Sequence, residues 1–235
     1  MVQPNKLKEA IARSACIKGV HFTYYAPPAL EIISNLEVDF IYIDGEHGLF
    51  DLHEVESMCI LAEHYGMTPI ARVRANTSDV ITQYLDRGVK GIVVPHVDDT
   101  ADARRAVEAC FYRPLGERSF GGGRPYAHFF TNDFPRLLAE CNAGVSLGLM
   151  IESTSGLENI DAIASTPGVD YLSFGMNDLA QSLGHAGNPR HPDVIAAVEA
   201  ATARAHAVGK PIREDFMKLA WMNDIVLEGA RKLLS

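Results

Sequence analysis

The chain has 235 residues, 47% of them hydrophobic and 22% charged, with a net charge of −9. That is an ordinary globular composition with enough residues for one large core, and its acidic balance argues against nucleic acid or an anionic membrane surface as a partner. The cysteines Cys16, Cys59, Cys110 and Cys141 share no CxxC spacing, which excludes a zinc ribbon or a thioredoxin-type motif and leaves buried free thiols as the simple reading. No leader-like segment and no apolar run of ~18 residues is visible, so a cytoplasmic protein without a membrane span is expected.

In chain order, "IKGVHF" (17–22) reads as a strand and "PPALEIISNL" (27–36) as a helix with proline in its first turn. "DFIYID" (39–44) is the next strand. The helix after it (51–66) keeps Leu52, Val55, Met58, Cys59 and Leu61 at a 3–4 spacing and stops at Gly66. Strands "TPIARV" (68–73) and "KGIVVP" (90–95) precede helices at about 78–87 and 99–111. "VSLGLMI" (145–151) precedes a helix at about 155–164. "VDYLSF" (169–174) precedes helices at about 176–183 and 192–208. This alternation predicts α/β architecture, a parallel sheet covered by helices, as a single domain over 1–235. The segment 113–130, "RPLGERSFGGGRPYAHFF", is too long for a turn and reads as a functional loop. After "VGKPI" (208–212) the tail is short for two further βα units of roughly 30 residues each. An eight-fold barrel would therefore close with an abbreviated last unit.

In parallel α/β folds, ligands gather at the carboxyl ends of the strands. These predicted strands deliver there His21; Asp44, Glu46 and His47; Arg72 and Arg74; Pro95 and His96; Glu152; then Asn177 and Asp178. Each has a structural alternative. Glu152 and Asp178 could serve helix starts, and His47 could be a hydrogen-bonded structural residue. Arg72 at the end of a buried strand needs an anion, from the protein or from a substrate. His96, His185 and His191 read as surface or loop residues. "SFGGGR" lacks the phosphate-loop pattern, and no nucleophile elbow or H-E-x-x-H occurs.

The segments "DFIYIDGEHG", "YLDRGVKGIVVPHV", "YRPLGERS" and "PGVDYLSFGMNDLAQSLG", with "MIES" ahead of the last, carry a resemblance over residues 19–210. Together they resemble the HpcH/HpaI class II, metal-dependent pyruvate aldolases, whose members include 4-hydroxy-2-oxoheptanedioate and 2-dehydro-3-deoxyglucarate aldolases. The resemblance implies a (β/α)8 TIM barrel that assembles as a homo-oligomer, a hexamer or a dimer with an exchanged C-terminal helix. It implies a divalent metal (Mg2+, Mn2+ or Co2+) on Glu152 and Asp178, an anion-binding Arg72, and His47 as base supported by Asp44 and Asp86. Around the substrate it puts Arg72, Asn177, Met176, His21 and Arg124. The substrates would be a small 2-oxo acid and an aldehyde: a 4-hydroxy-2-oxo acid is split to pyruvate and an aldehyde, or formed from them, through an enolate that the metal and Arg72 stabilise.

The chain departs from the family pattern at Met150, where a Gln is usual, at His21, where a Trp is usual, at Arg124, where a smaller residue is usual, and in its tail. Two other readings follow. One is a citrate synthase-like condensation of oxaloacetate with acetyl-CoA in siderophore biosynthesis, or a CoA-ester lyase, with Arg124 meeting a carboxylate or phosphate and His21 acting on acetyl-CoA. The other is a non-catalytic family member.

Overall fold

The computed structural model describes residues 5–121, 123–124 and 133–235. In chain order the elements are α1 (Lys6–Arg13), β1 (Ile17–Phe22), α2 (Pro27–Ile33), β2 (Phe40–Asp44), α3 (Leu52–His64), β3 (Thr68–Arg72), α4 (Ser78–Asp86), β4 (Gly91–Val94), α5 (Thr100–Cys110), α6 (Phe134–Gly144), β5 (Ser146–Ile151), α7 (Thr154–Glu158), α8 (Ile160–Ala164), β6 (Tyr171–Phe174), α9 (Met176–Ser182), α10 (Pro192–Ala207), α11 (Arg213–Phe216), β7 (Met217–Trp221) and α12 (Met222–Leu234). The predicted strands through residue 174 appear within one or two residues of their expected bounds. The helix expected over 155–164 is two short ones, α7 and α8, meeting at Asn159.

The strands form one parallel sheet of seven, in the order β6-β5-β4-β3-β2-β1-β7. The sheet curls, but eight full units do not close it. β7 pairs with β1 along its length, from Ile17↔Met217 to His21↔Trp221. Between β6 and β7 a full strand is missing. The segment around Ile212 makes only one bridge to the sheet, Leu172↔Ile212, with the Leu172 N–H donating to Pro211 O at 3.0 Å. The short α11 packs on both β6 and β7 across that gap. The α/β architecture and the abbreviated end of the chain are as expected, and what forms is a seven-stranded, curled half-barrel in place of eight βα units. The physical reason is the four-residue α11, which follows Ile212 directly and turns the chain away before a second strand bond can form.

Period-two alternation divides the strand residues between two apolar layers. Val20, Ile41, Ile43, Ala71 and Ile92 face the helices. Ile17, Phe40, Tyr42, Ile70, Val93 and Tyr171 face inward, where α1 closes the amino end with Leu7 and Ala10. The Asn5 side chain locks that end by donating to Lys90 O at 2.8 Å and Gly144 O at 2.9 Å. Inward positions must alternate large and small to fill the curled interior. Gly19 accordingly faces Phe40 and Gly148 faces Tyr171, where an added Cβ would fall 2.2 and 2.4 Å from ring carbons. Cys59, Cys110 and Cys141 are buried free thiols and Cys16 is an exposed one, in line with the simple reading. Among the described residues no helix is long and apolar enough to cross a membrane.

The interior packing makes a direct prediction. Gly148→Ala forces its methyl into the Tyr171 ring, a fully buried group on the neighbouring strand β6, and should cost about 1–3 kcal/mol. Urea unfolding should show a lower midpoint with unchanged slope. An unaltered midpoint would contradict the packing described.

Candidate active site at the carboxyl ends of the strands

Asp44 ends β2, and its side chain, only 1% exposed, is the most connected polar group of this region. Oδ1 accepts from the backbone N–H groups of Glu46 and His47, each at 3.1 Å, and from Arg72 Nε at 3.0 Å. Oδ2 accepts from Arg72 Nη2 at 2.6 Å. The two residues are direct partners in the β2–β3 register, so the forked contact is built into the sheet. Burial alone would push the Asp44 carboxyl up. The neighbouring His21, the Arg72 guanidinium and the His47 N–H outweigh it and hold the group well below the usual carboxylate range. Arg72 is raised in turn: burial disfavours its charge, but Asp44 more than compensates.

The anion that Arg72 needs is therefore a protein carboxylate. Its fork is engaged with Asp44. Its Nη1 lies 3.2 Å from Glu46 Oε2 and 4.0 Å from Met150 Sδ.

Glu152 follows β5 and is buried, its side chain 2% exposed. Oε1 accepts from the His96 backbone N–H at 2.7 Å and lies 3.1 Å from His96 Nδ1. The other ring nitrogen of His96, Nε2, is 2.9 Å from Glu46 Oε1. His96 thus bridges two carboxylates. Its φ of +54° is left-handed, a conformation rarely adopted by a residue other than glycine. That backbone turn aims both its N–H and its ring at Glu152. Burial raises the Glu152 pKa, and the charges of Glu46 and Asp178 add to the rise, against the lowering effect of His96. Gly175 makes room for this carboxylate, since a Cβ there would fall 2.1 Å from Glu152 Oε2. Gly175 also precedes α9, whose first turn carries the half-buried Met176 and the exposed Asn177 and Asp178. The structure so brings Asp44, Glu46, Arg72, Glu152 and Asp178 to one end of the sheet.

His47 is there too, mostly exposed (64%), with Nε2 3.9 Å from Glu46 Oε2. Asp44 binds the His47 backbone, not its ring, so it shapes the loop and does not orient the imidazole. His21 is 5% exposed and wedged between Tyr42 (ring centroids 4.8 Å) and Trp221 (4.0 Å). Its Nε2 is 3.4 Å from Asp44 Oδ2, yet neither ring nitrogen has a hydrogen bond. Burial lowers its pKa despite the nearby Asp44, favouring the neutral ring.

Two expected site residues lie elsewhere. Asp86 is the last residue of α4, which returns the chain to the amino edge of the sheet. There its Oδ1 accepts from Arg118 Nη2 at 2.8 Å, so within this chain it does not support His47. Arg124 donates to Glu63 Oε2 at 2.6 Å and packs against Gly88, just before β4. It too sits at the amino edge, away from the strand ends where a substrate would meet Arg72. Within the expected functional loop, residue 122 and residues 125–130 fall outside the described residues. In the sequence His96 reads as a strand-end residue without a role in the site, and nothing points to Trp221. His96 had a signal, a titratable side chain directly after a strand-ending proline. Trp221 comes to the site only through the β1–β7 pairing.

The Asp44 environment sets a pH dependence. Asp44 is ionised at lower pH in the folded chain than in the unfolded one, where its value is near 3.8. Its contribution is therefore complete above about pH 5 and fades as the pH falls below that. Asp44→Asn should cost about 3–5 kcal/mol at pH 7, because Arg72 loses its buried partner. The gap from the unsubstituted protein should narrow from pH 5 towards pH 3, measured by urea unfolding. A gap independent of pH would contradict the assignment.

Comparison with known proteins agrees with this arrangement. The profile of the HpcH/HpaI aldolase/citrate lyase family matches residues 19–230. The 5-keto-4-deoxy-D-glucarate aldolase of Salmonella paratyphi A is 34% identical over 208 residues, covering 88% of this chain and 80% of that protein. Among solved structures, an HpcH/HpaI aldolase/citrate lyase family protein from Burkholderia cenocepacia J2315 superposes with a TM-score of 0.89 at 28% identity, covering 98% of each chain. The citrate synthase SbnG superposes with a TM-score of 0.78, also at 28% identity, covering 96% of this chain and 86% of that one. With a curled parallel sheet, acidic residues converging at its carboxyl end and a family match over most of its length, the chain belongs to the HpcH/HpaI aldolase/citrate lyase family and is an enzyme of the carbon–carbon lyase class.

Proposed function

We propose that the protein is a class II aldolase that splits 4-hydroxy-2-oxo acids into pyruvate, or a related 2-oxo acid, and an aldehyde, or joins them in reverse. The observation that carries this reading is the buried Glu152 carboxylate, crowded by Glu46 and Asp178 and cradled over Gly175. Such an excess of carboxylate oxygens fits a hard divalent cation, Mg2+, Mn2+ or Co2+. Glu152 and Asp178 would hold it. When bound, the cation would supply Lewis-acid polarisation of the 2-oxo group.

The chain's own residues account for the remaining chemistry. Arg72 Nη1 is the guanidinium nitrogen not bonded to Asp44, and it donates to the substrate carboxylate or to the oxygen on which charge develops. Asp44 keeps that guanidinium in place, so the fork serves pre-organisation and not substrate contact. His47, at the open mouth, takes the proton of the C4 hydroxyl. The C4 oxygen becomes the aldehyde carbonyl as the C3–C4 bond breaks, and the bonding pair stays on the three-carbon unit. Protonation of C3 then gives pyruvate. Met176, Asn177 and His21 line the region around this centre. The exposed apolar residues of α12, among them Val226, Leu227, Leu233 and Leu234, support a homo-oligomeric assembly in which that helix is covered.

The structural likeness to a citrate synthase supports a second reading, condensation of oxaloacetate with acetyl-CoA. It leaned on Arg124 as an extra cationic contact, and Arg124 is committed to Glu63 at the far edge. The aldolase reading is therefore preferred.

A pyruvate-release assay on 4-hydroxy-2-oxo acids, with and without acetyl-CoA plus oxaloacetate, tests this. Turnover should need added Mg2+ or Mn2+ and be abolished by chelation. Glu152→Gln should lower kcat by roughly 10²–10³, and His47→Asn by roughly 10²–10⁴ with little change in KM. Full activity in Glu152→Gln, or free CoA as the only metal-dependent product, would overturn the proposal.

A further inference from the structure

Between α9 and α10 the chain turns so that three ligand-bearing side chains meet. His185 Nε2 lies 3.1 Å from Asp193 Oδ2, and His191 Nδ1 lies 3.5 Å from the same oxygen. The two imidazoles stack, with centroids 3.5 Å apart and planes 13° from parallel. All three candidate ligand atoms lie within 4.8 Å of one another. Among the described residues, neither Lys nor Arg forms an ion pair with Asp193. The imidazoles are the groups that meet its charge.

We propose that His185, His191 and Asp193 form a second cation site, for Zn2+ or a similar borderline transition metal, separate from the carboxylates at the strand ends. The spacing fits. Zn–N and Zn–O bonds of about 2.0–2.2 Å put tetrahedral ligand atoms about 3.3–3.6 Å apart. Of the separations, 3.5 Å falls in that range and 3.1 Å just below it; the third, no more than 4.8 Å, closes as the two stacked rings turn their in-plane lone pairs towards a shared ion. The half-exposed location leaves a fourth position for water. Ligand type separates the two centres. Two imidazoles and one carboxylate favour Zn2+, Co2+ or Ni2+, whereas the Glu152 and Asp178 oxygens favour Mg2+ or Mn2+.

Asp193 N–H now donates to His191 Nδ1 at 3.2 Å, capping α10. A metal would take that lone pair and return an exposed N–H at the helix start to water, a modest cost. What the metal adds is a cross-link. It ties the end of α9, the helix whose first turn carries Asp178, to the start of α10.

The test is a Zn2+ titration by calorimetry, with thermal unfolding alongside, on the full-length Glu152→Gln/Asp178→Asn protein. That background removes the two carboxylates assigned to the strand-end cation and makes the result independent of the aldolase reading. We expect about one equivalent of Zn2+ bound and a rise in Tm. Adding His185→Asn and His191→Asn should weaken binding at least tenfold and abolish the rise. Asn at 191 keeps a good helix cap, so the fold should survive, and far-UV circular dichroism checks it. Absence of Zn2+ binding in the first variant, or undiminished binding in the second, would overturn the proposal.

Discussion

A buried carboxylate at the end of a central strand must find donors, and Asp44 finds them in three directions. It fixes the backbone of the loop that follows β2, it clamps the Arg72 guanidinium in a fork, and it lies against the buried His21 ring. Each tie positions something else. The loop carries Glu46 and His47 to the mouth, and the clamped guanidinium leaves Nη1 facing Glu46. From Glu46 the contacts continue through His96 to Glu152. Carboxylates that would repel one another are thereby held close by one guanidinium and one imidazole. Burial is the main cause of the raised Glu152 pKa, the charges of Glu46 and Asp178 add to it, and this crowding of carboxylates is the property that suits the site to a cation.

The sheet supplies the geometry at the cost of completeness. Large rings lie over glycines inside the curled sheet, Phe40 on Gly19 and Tyr171 on Gly148, and α1 plugs the amino end. The gap between β6 and β7, spanned by α11 and a single bridge, lies beside the strand that delivers Trp221. Trp221 packs against His21 with its ring tilted by 41°, so the side of the site near β1 is walled by an aromatic residue from the last strand of the chain.

Much of this was legible in the sequence, for physical reasons. Strands buried on both faces read as short apolar runs, which is why "FIYID" and "SLGLMI" fell within a residue of the observed bounds. Polar residues after such runs must face the ligand end, which placed Asp44, Arg72, Glu152 and Asp178 together. What failed was whatever depends on where the chain goes next. Asp86 and Arg124 look no different in sequence from residues at the open end, but α4 and the loop after α5 return them to the amino edge. β7 is not legible because "MKLAW" runs straight into a helix and only its first residue, Met217, is buried, so it lacks the apolar run of the other strands. His96 is an exposed loop residue, as its sequence setting suggests, but the left-handed φ that turns its N–H and ring to Glu152 leaves no mark in composition.

The central claim is that Glu152 and Asp178 hold a divalent cation beside Arg72 for chemistry on a 2-oxo acid. Anomalous diffraction from a crystal grown with Mn2+ and pyruvate tests it most directly. The account predicts one Mn2+ peak bonded at about 2.1 Å to carboxylate oxygens of Glu152 and Asp178. Pyruvate should lie on the metal, with Arg72 Nη1 within hydrogen-bond reach of one of its oxygens. A Mn2+ peak away from both carboxylates, or pyruvate bound with no contact to Arg72, would contradict it.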